Sequence, residues 1–268
     1  TGSYTLEMQV VAEELGISKE RIELEIWNTG NVDFDSGVGG SRVTRLGTQV
    51  AYAASENAKT ELLKVSADTL EIGVDQLAFV NGEIHNISTE DIYQWGDLLS
   101  RVGHSITGNA SIQDTGPAHV TAYVAQVAEV SVDPETGEVK LLRLTTAHDV
   151  GRIVNPIGHQ GQINGGAMQG IGYALMEELQ VDDGHVSTLT FGDYKIPTIK
   201  DLPELCTVLV ESDTGVGPYN VKSIGENPTI PVAPAVANAV EDAIGVRVKD
   251  LPITAEKVYR LLKKRNGG

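Results

Sequence analysis

Apolar residues recur at helical spacing in several stretches of the chain. In the first stretch they fall at Met8, Val10 and Leu15, and Gly16 then supplies a typical helix end. Near the C-terminus, an almost wholly apolar stretch of Ala and Val stops at Gly245, so we expect it to form a buried helix. The pattern predicts helices over residues 6–15, about 45–66, 88–99, 160–179, 232–244 and about 253–262.

Other stretches alternate between apolar and polar residues, as strands that bury one face do. Two of them are joined by Asn81-Gly82, a dipeptide typical of a two-residue hairpin turn. Because helices and strands do not follow a strict βαβ rhythm, we predict an α+β fold with mixed sheets and packed helices. The predicted strands cover residues 22–27, 70–74, 77–80, a run from 84 onward, 120–132, 139–146 and 205–211.

Charge and cysteine content exclude several classes of function. The 268 residues include 37 acidic and 20 basic side chains, a net charge of -17, which disfavours a nucleic-acid partner because phosphate backbones bind clustered Lys and Arg. No apolar run is long enough to span a bilayer, so we expect no membrane partner and a cytoplasmic location. The single cysteine, Cys206, excludes an internal disulfide and a cysteine-ligated zinc or iron–sulfur site in this sequence.

Familiar motifs of catalysis and nucleotide binding are missing from the sequence. It contains no GxxxxGK[ST], no HExxH and no GxSxG, and its glycines do not follow a strand in GxGxxG spacing. The six histidines are scattered without paired spacing, so we predict no metal held directly by side chains.

The most informative stretch is residues 221–231, in which Gly225 and Glu226 precede a turn stiffened by prolines. A carboxylate in front of a buried helix is costly unless it is paired or used in chemistry. The plainer alternative is that Glu226 caps the helix, with its charge near the positive end of the helix dipole. Lys222 also has two interpretations, an exposed surface lysine or a residue that orients this loop.

Two further stretches combine glycines with polar residues. One is residues 39–41, ahead of the long second helix, and the other is residues 160–172. The four glycines from Gly165 to Gly172 each cost about 1 kcal/mol relative to Ala inside a helix, so another backbone or a ligand should pack closely there. Backbone N–H groups and Gln amides can bind a polar, anionic heterocycle without adding charge.

In this order, these residues resemble the molybdenum hydroxylases, the xanthine dehydrogenase/aldehyde oxidase family. Lys222 and Gly225-Glu226, with the proline-containing turn and Ala-rich helix, resemble the catalytic-glutamate segment of that family. Residues 149–172 resemble its pterin-contacting region, and Gly40-Ser41 resembles another pterin-binding loop. The similarity is collinear and covers nearly the whole chain.

The resemblance implies that residues 1–268 form the C-terminal part of a molybdopterin-binding subunit, with room for two lobes that meet near residues 115–150. Glu226 would be the general base that deprotonates a molybdenum-bound hydroxide, whose water-derived oxygen attacks an aldehyde or N-heterocycle while hydride passes to a sulfido ligand. The cofactor would be molybdenum–molybdopterin, a pyranopterin whose forms include a cytosine dinucleotide, with the molybdenum held through the pterin. The residues implied to contact the cofactor are Gly40, Ser41, Gln162, Gln169, Lys222 and Gly225.

The resemblance also implies partners. These are an upstream molybdopterin-binding subunit or domain, subunits that carry iron–sulfur clusters and FAD, and a small aldehyde or N-heterocycle. Family members have Gly-Gln-Gly ahead of their first helix, where this sequence has Thr1, Gly2 and Ser3. We therefore expect activity only after assembly with the missing upstream portion. The alternative, from another class, is a cofactor-free structural or assembly subunit of such a complex.

Overall fold

The computed structural model describes residues 2–31, 37–113 and 121–267. Three parts of the sequence predictions lie outside these residues. They are Thr1, a portion of the small-residue loop ahead of the second helix, and the predicted strand start at Val120. The chain divides into two compact units, the first Thr1–His119 with Gly215–Val221 and the second Val120–Thr214 with Lys222–Gly268. Both units combine helices with antiparallel strands, and the second adds a parallel pair, which confirms the α+β prediction.

The first unit packs its helices around a small antiparallel sheet. The sheet has the strand order β1 (Leu77–Val80), β2 (Glu83–Asn86) and β3 (Ile92–Tyr93). Its apolar core includes Leu62, Leu77, Ile84 and Leu98. The elements are α1 (Ser3–Leu15), α2 (Val43–Leu70), β1 (Leu77–Val80), β2 (Glu83–Asn86), β3 (Ile92–Tyr93) and α3 (Trp95–Val102).

The hairpin between β1 and β2 confirms the predicted two-residue turn. Asn81 and Gly82 both have positive φ, 50° and 82°. That geometry matches the right-handed twist of the flanking strands, and Asn and Gly adopt it at little cost.

Three predictions for the first unit are wrong. The strand over residues 70–74 is replaced by the end of α2 and a short 3-10 turn, because Leu70 and Ile72 pack on the core described above. The alternating residues 22–27 form no strand with any described part of the chain, and Trp27 is 59% exposed. The helix predicted from residue 88 starts at Trp95, because the Asn86 side chain accepts the backbone N–H groups of residues 88 and 89 and closes a turn.

The second unit is a three-stranded sheet covered by helices. The strand order is β4 (Val124–Val132), β5 (Val139–Gly151) and β8 (Glu204–Glu211), with β4 antiparallel and β8 parallel to β5. Its core includes Leu144, Ile171, Val236 and Val258. The elements are β4 (Val124–Val132), β5 (Val139–Gly151), α4 (Pro156–Leu175), β6 (Val181–Asp182), β7 (His185–Val186), β8 (Glu204–Glu211), α5 (Val232–Ile244) and α6 (Ala255–Arg265).

Helix α4 begins four residues before the predicted start. The Asn155 side chain accepts the Gly158 N–H at 3.0 Å, and Pro156 follows the cap directly. An Asn cap followed by proline is a strong signal for a helix start. Proline has no backbone N–H to donate, and in the first turn this costs nothing because a helix has no acceptor there. The helix ends at Leu175 rather than near residue 179.

None of the helices in the described part of the chain combines the length and apolarity needed to cross a bilayer.

Candidate functional site

Residues 222–231, called here the Glu226 loop, begin with a buried ion pair. Lys222 is 1% exposed, and its Nζ donates to Asp149 Oδ2 at 2.5 Å and to the carbonyl of Thr121 at 2.7 Å. The same ammonium lies 5.8 Å from the centre of the Tyr123 ring. The interpretation of Lys222 as a surface lysine is therefore wrong.

Asp149 is held in its ionised form by several donors. Burial works to raise the pKa of this carboxyl, but the hydrogen bonds from Lys222, the Ser212 hydroxyl and the Gly151 N–H outweigh it and keep the pKa below its usual value. The Ser212 and Gly151 contacts are 2.8 Å and 3.1 Å long. The ion pair between Lys222 and Asp149 therefore connects the start of the Glu226 loop to the end of β5.

Further along the Glu226 loop, three backbone carbonyls accept hydrogen bonds from side chains on α4 and β4. The loop also closes on itself, since the Thr229 N–H donates to the Glu226 carbonyl at 3.1 Å. The backbone is therefore held on both sides of Glu226. The three bonds are Gln162 Nε2 to Gly225 O at 2.8 Å, Gln126 Nε2 to Pro228 O at 2.8 Å and Tyr173 OH to Thr229 O at 2.6 Å.

Two glycines of α4 let the Glu226 loop and the start of α5 approach the helix. A Cβ added at Gly166 would lie 2.8 Å from the Pro228 Cβ, and one added at Gly170 would lie 2.5 Å from Val232 Cγ2. Real Cβ atoms essentially never approach this closely. The sequence predicts that another backbone or a ligand packs closely against the glycines. The close approach is present at both positions, but the nearest atoms belong to the Pro228 and Val232 side chains, and a backbone atom, the Thr229 carbonyl oxygen at 2.9 Å, takes part only at Gly170.

Two other glycines of α4 have no such explanation in the described chain. Gly161 and Gly165 are exposed, and no neighbouring atom lies within 4 Å of where their Cβ would stand. Gln169 is also exposed, and the spacing of four places these three residues on one side of the helix. This α4 glycine surface (Gly161, Gly165 and Gln169) offers close access to the backbone and a side-chain amide, which suits a flat polar group.

Gly40 and Ser41 belong to the first unit, directly ahead of α2. Both have positive φ, 61° and 53°. Glycine adopts a positive φ freely, whereas Ser41 adopts it at an energetic cost. The surrounding structure must therefore hold Ser41 in this conformation. Its part in binding a cofactor stays a prediction.

Glu226 does not cap helix α5. The N-cap of α5 is Pro231, five residues later, and no side chain caps that end of the helix. The Glu226 side chain is exposed. The carboxylate is an exposed group on a firmly held backbone.

Sequence reasoning missed Gln126 and Tyr173. A signal for Gln126 exists, because it is the single polar residue among the inward-facing positions of β4, where Val124, Ala128 and Val130 are apolar. For Tyr173 the sequence has no such signal. Its hydroxyl reaches a carbonyl 56 residues further along the chain.

Within residues 2–31, 37–113 and 121–267, no group of three or more His, Cys, Asp or Glu side chains is arranged to hold a metal ion.

Comparison with known proteins identifies the family. Residues 1–203 match the model of the molybdopterin cofactor-binding domain. The chain is 31% identical over 269 residues to the putative xanthine dehydrogenase molybdenum-binding subunit of Escherichia coli K12. The aligned region covers 96% of this chain and 36% of that protein. The chain thus spans about a third of the length of such relatives.

Solved structures agree with this assignment. The chain matches the Cu,Mo-CO dehydrogenase with a TM-score of 0.85 at 24% identity, over 99% of this chain and 35% of that one, which shows the shared fold. It matches the aldehyde oxidoreductase of Desulfovibrio gigas with a TM-score of 0.72 at 28% identity, over 96% of this chain and 27% of that one. The chain therefore belongs to the molybdopterin cofactor-binding family of the xanthine dehydrogenase/aldehyde oxidase type.

Proposed function

We propose that this chain forms part of the molybdopterin site of an oxidoreductase that hydroxylates an aldehyde or an N-heterocycle with water-derived oxygen. The observation that carries the proposal is the bond from Gln162 to the Gly225 carbonyl, because it joins the amide-bearing helix α4 to the Glu226 loop. The names of the relatives, a xanthine dehydrogenase subunit and an aldehyde oxidoreductase, support this substrate class.

The residues of this chain fit a molybdenum–molybdopterin cofactor. The α4 glycine surface leaves room for a flat heterocycle against the helix backbone, and Gln169, together with the half-exposed Gln162, offers amide groups to its polar edges. We propose that Gly40, Ser41 and Gly225 add backbone contacts to the cofactor. When bound, the cofactor supplies the two-electron redox chemistry of the reaction.

Lys222 has a different part in this proposal. Its ammonium is buried against Asp149 and the Thr121 carbonyl, so its contacts favour orienting the Glu226 loop over direct contact with the cofactor.

Glu226 acts as the general base. A carboxylate oxygen of its side chain accepts the proton of the water-derived hydroxyl that attacks the substrate carbon. The hydrogen-bonded backbone on both sides of Glu226 limits the positions that this oxygen can take, which favours proton transfer in a defined geometry. We infer that the upstream molybdopterin-binding portion and the iron–sulfur and FAD subunits complete the enzyme.

The test is Glu226→Gln in the enzyme assembled with its partner subunits. We expect kcat for aldehyde or N-heterocycle oxidation to fall by roughly 10²- to 10⁴-fold, the usual worth of a general base, while molybdenum and pterin content stay at the wild-type level. Glu178→Gln, at an exposed carboxylate of the same unit, is the matched control and should leave kcat unchanged.

Two outcomes contradict the proposal in different ways. If Glu226→Gln keeps the wild-type rate, Glu226 is not the base. If the assembled wild type contains no pterin, the chain is a cofactor-free structural or assembly subunit.

A further inference from the structure

A hydrogen-bond network of three polar side chains, Gln126, Thr146 and His148, runs from the Glu226 loop into the sheet of the second unit. Gln126 Nε2 donates to the Pro228 carbonyl at 2.8 Å and to Thr146 Oγ1 at 3.1 Å. Thr146 Oγ1 lies 2.5 Å from His148 Nε2, and Thr146 and His148 are each 1% exposed. Thr146 and His148 are therefore inaccessible to solvent.

The direction of each hydrogen bond in this network follows from its neighbours. The Thr146 oxygen accepts from Gln126. In the tautomer of neutral His148 that carries its proton on Nδ1, the Thr146 hydroxyl donates to His148 Nε2. Burial lowers the pKa of His148 to about 4, which agrees with a neutral ring. The Pro228 carbonyl can only accept a hydrogen bond, so the NH₂ group of Gln126 must face it, and the same NH₂ group reaches Thr146 Oγ1.

Stability alone does not account for this arrangement. Gln126 Oε1 and His148 Nδ1 are buried, and neither has a hydrogen-bond partner in the described part of the chain. A buried polar atom without a partner costs about 1–3 kcal/mol. The inward-facing neighbours Val124 and Ala128 are apolar, so an apolar residue at position 126 would suit the same face of β4.

We propose that Gln126 is a positioning residue for Glu226, with Thr146 and His148 setting the orientation of its amide. Gln126 holds the carbonyl of Pro228, two residues beyond Glu226, and the Thr229 N–H closes the turn back onto the Glu226 carbonyl. The inference rests on the proposed role of Glu226 as the base. It means that Gln126, a residue of the sheet 100 positions earlier in the sequence, helps to fix the position of the Glu226 carboxylate.

The first test is Gln126→Met in the assembled, cofactor-containing enzyme. Methionine matches the length of glutamine but donates no hydrogen bond. We expect kcat to fall by roughly 10- to 100-fold, as small misplacements of a reacting group do, with KM within about twofold of wild type. Hydrogen exchange at the Thr229 amide should become faster, while molybdenum and pterin content should not change. The matched control is Gln94→Met, which removes an exposed amide donor to Glu83 in the first unit and should alter neither kcat nor Thr229 exchange.

A double-mutant cycle shows whether Gln126 acts through Glu226. In the Glu226→Gln background, Gln126→Met should lower kcat no further, since the group that it positions is already gone. A wild-type kcat for Gln126→Met, or an equal loss in both backgrounds, overturns the inference while leaving Glu226 as the base. If Glu226→Gln itself keeps full activity, the proposed function fails first and the inference falls with it.

A second pair of variants covers the case in which Gln126→Met does not fold. Thr146→Val removes the hydroxyl between Gln126 and His148 at nearly constant volume, and it should lower kcat and speed exchange at the Thr229 amide. Thr146→Ser keeps the hydroxyl and should retain the wild-type kcat. Equal kcat values for the Val and Ser variants would contradict the role given to this network.

Discussion

Lys222 shows how a single charge can be stable inside a protein. Its ammonium is almost fully buried and bound to Asp149, which is itself largely buried. Lys222→Met would leave that carboxylate without its cation, and breaking a buried pair from one side typically costs about 3–5 kcal/mol. Asp149 keeps its bonds from Ser212 and Gly151, so we expect a loss near the lower limit, about 3 kcal/mol in the free energy of unfolding measured with urea.

The matched control for this prediction is Lys249→Met, at an exposed lysine of the same unit, which should change the free energy of unfolding by less than about 0.5 kcal/mol. Adding Asp149→Asn to Lys222→Met should recover part of the loss, because the asparagine oxygen still accepts from Ser212 and no charge is stranded. Equal losses for Lys222→Met and Lys249→Met would contradict the buried pair.

Residues of the candidate site could be predicted from the sequence where their signal is local. Glu226 and Gly225 are neighbours in a short motif, and Gln162 lies in a second one, so each could be singled out without knowing the fold. Lys222 could be singled out as well, but not its partner, because Asp149 is 73 positions away in the sequence. The same distance problem hid Gln126, which contacts the loop across 102 positions.

Helix α4 has glycines of two kinds, and a matched pair of substitutions separates them. Gly170→Ala would push a methyl group against Val232 and the Thr229 carbonyl, so we expect a loss of about 1–3 kcal/mol in the free energy of unfolding. Gly165→Ala meets open space and should gain up to about 1 kcal/mol from the better helix propensity of alanine. Denaturation of the two variants under one set of conditions measures both effects.

Pterin content adds a second measurement to this pair. The methyl group of Gly165→Ala stands on the surface proposed for the cofactor, so this stabilised variant should contain less pterin than the wild type after assembly. A Gly165→Ala enzyme that is more stable and still fully loaded would remove the α4 glycine surface from the proposed site.

Elements were predictable where local signals agree with packing. Helix α5 has an apolar sequence, and Gly245 ends it as expected. The alternation of residues 22–27 is as clear as that of β4, but a strand also needs a hydrogen-bonding neighbour, which no local pattern can supply. The early start of α4 was encoded locally by Asn155 and Pro156, so that error came from giving too little weight to a cap.

At the scale of the whole molecule, buried histidines predict how stability depends on pH. His148 has a folded-state pKa of about 4 against about 6.5 in the unfolded chain, so between these values the unfolded state binds more protons. The contribution of His148 to the free energy of unfolding is complete above about pH 6.5 and is lost as pH falls through about 4. The full loss in the free energy of unfolding is about 3 kcal/mol. Burial also lowers the pKa of His159, which adds a loss of the same sign.

The net charge of -17 opposes this effect, because acid neutralises carboxylates and relieves their mutual repulsion. The absolute pH curve therefore mixes two signs, and the difference between variants is the informative quantity. His148→Gln cannot be protonated, so its free energy of unfolding should fall less steeply than that of the wild type between about pH 6.5 and 4, whatever its value at neutral pH. His104→Gln, at an exposed histidine, should follow the wild-type curve. Parallel curves for His148→Gln and wild type would mean that His148 is not held neutral by the fold, and the bond from the Thr146 hydroxyl to His148 Nε2 would lose its basis.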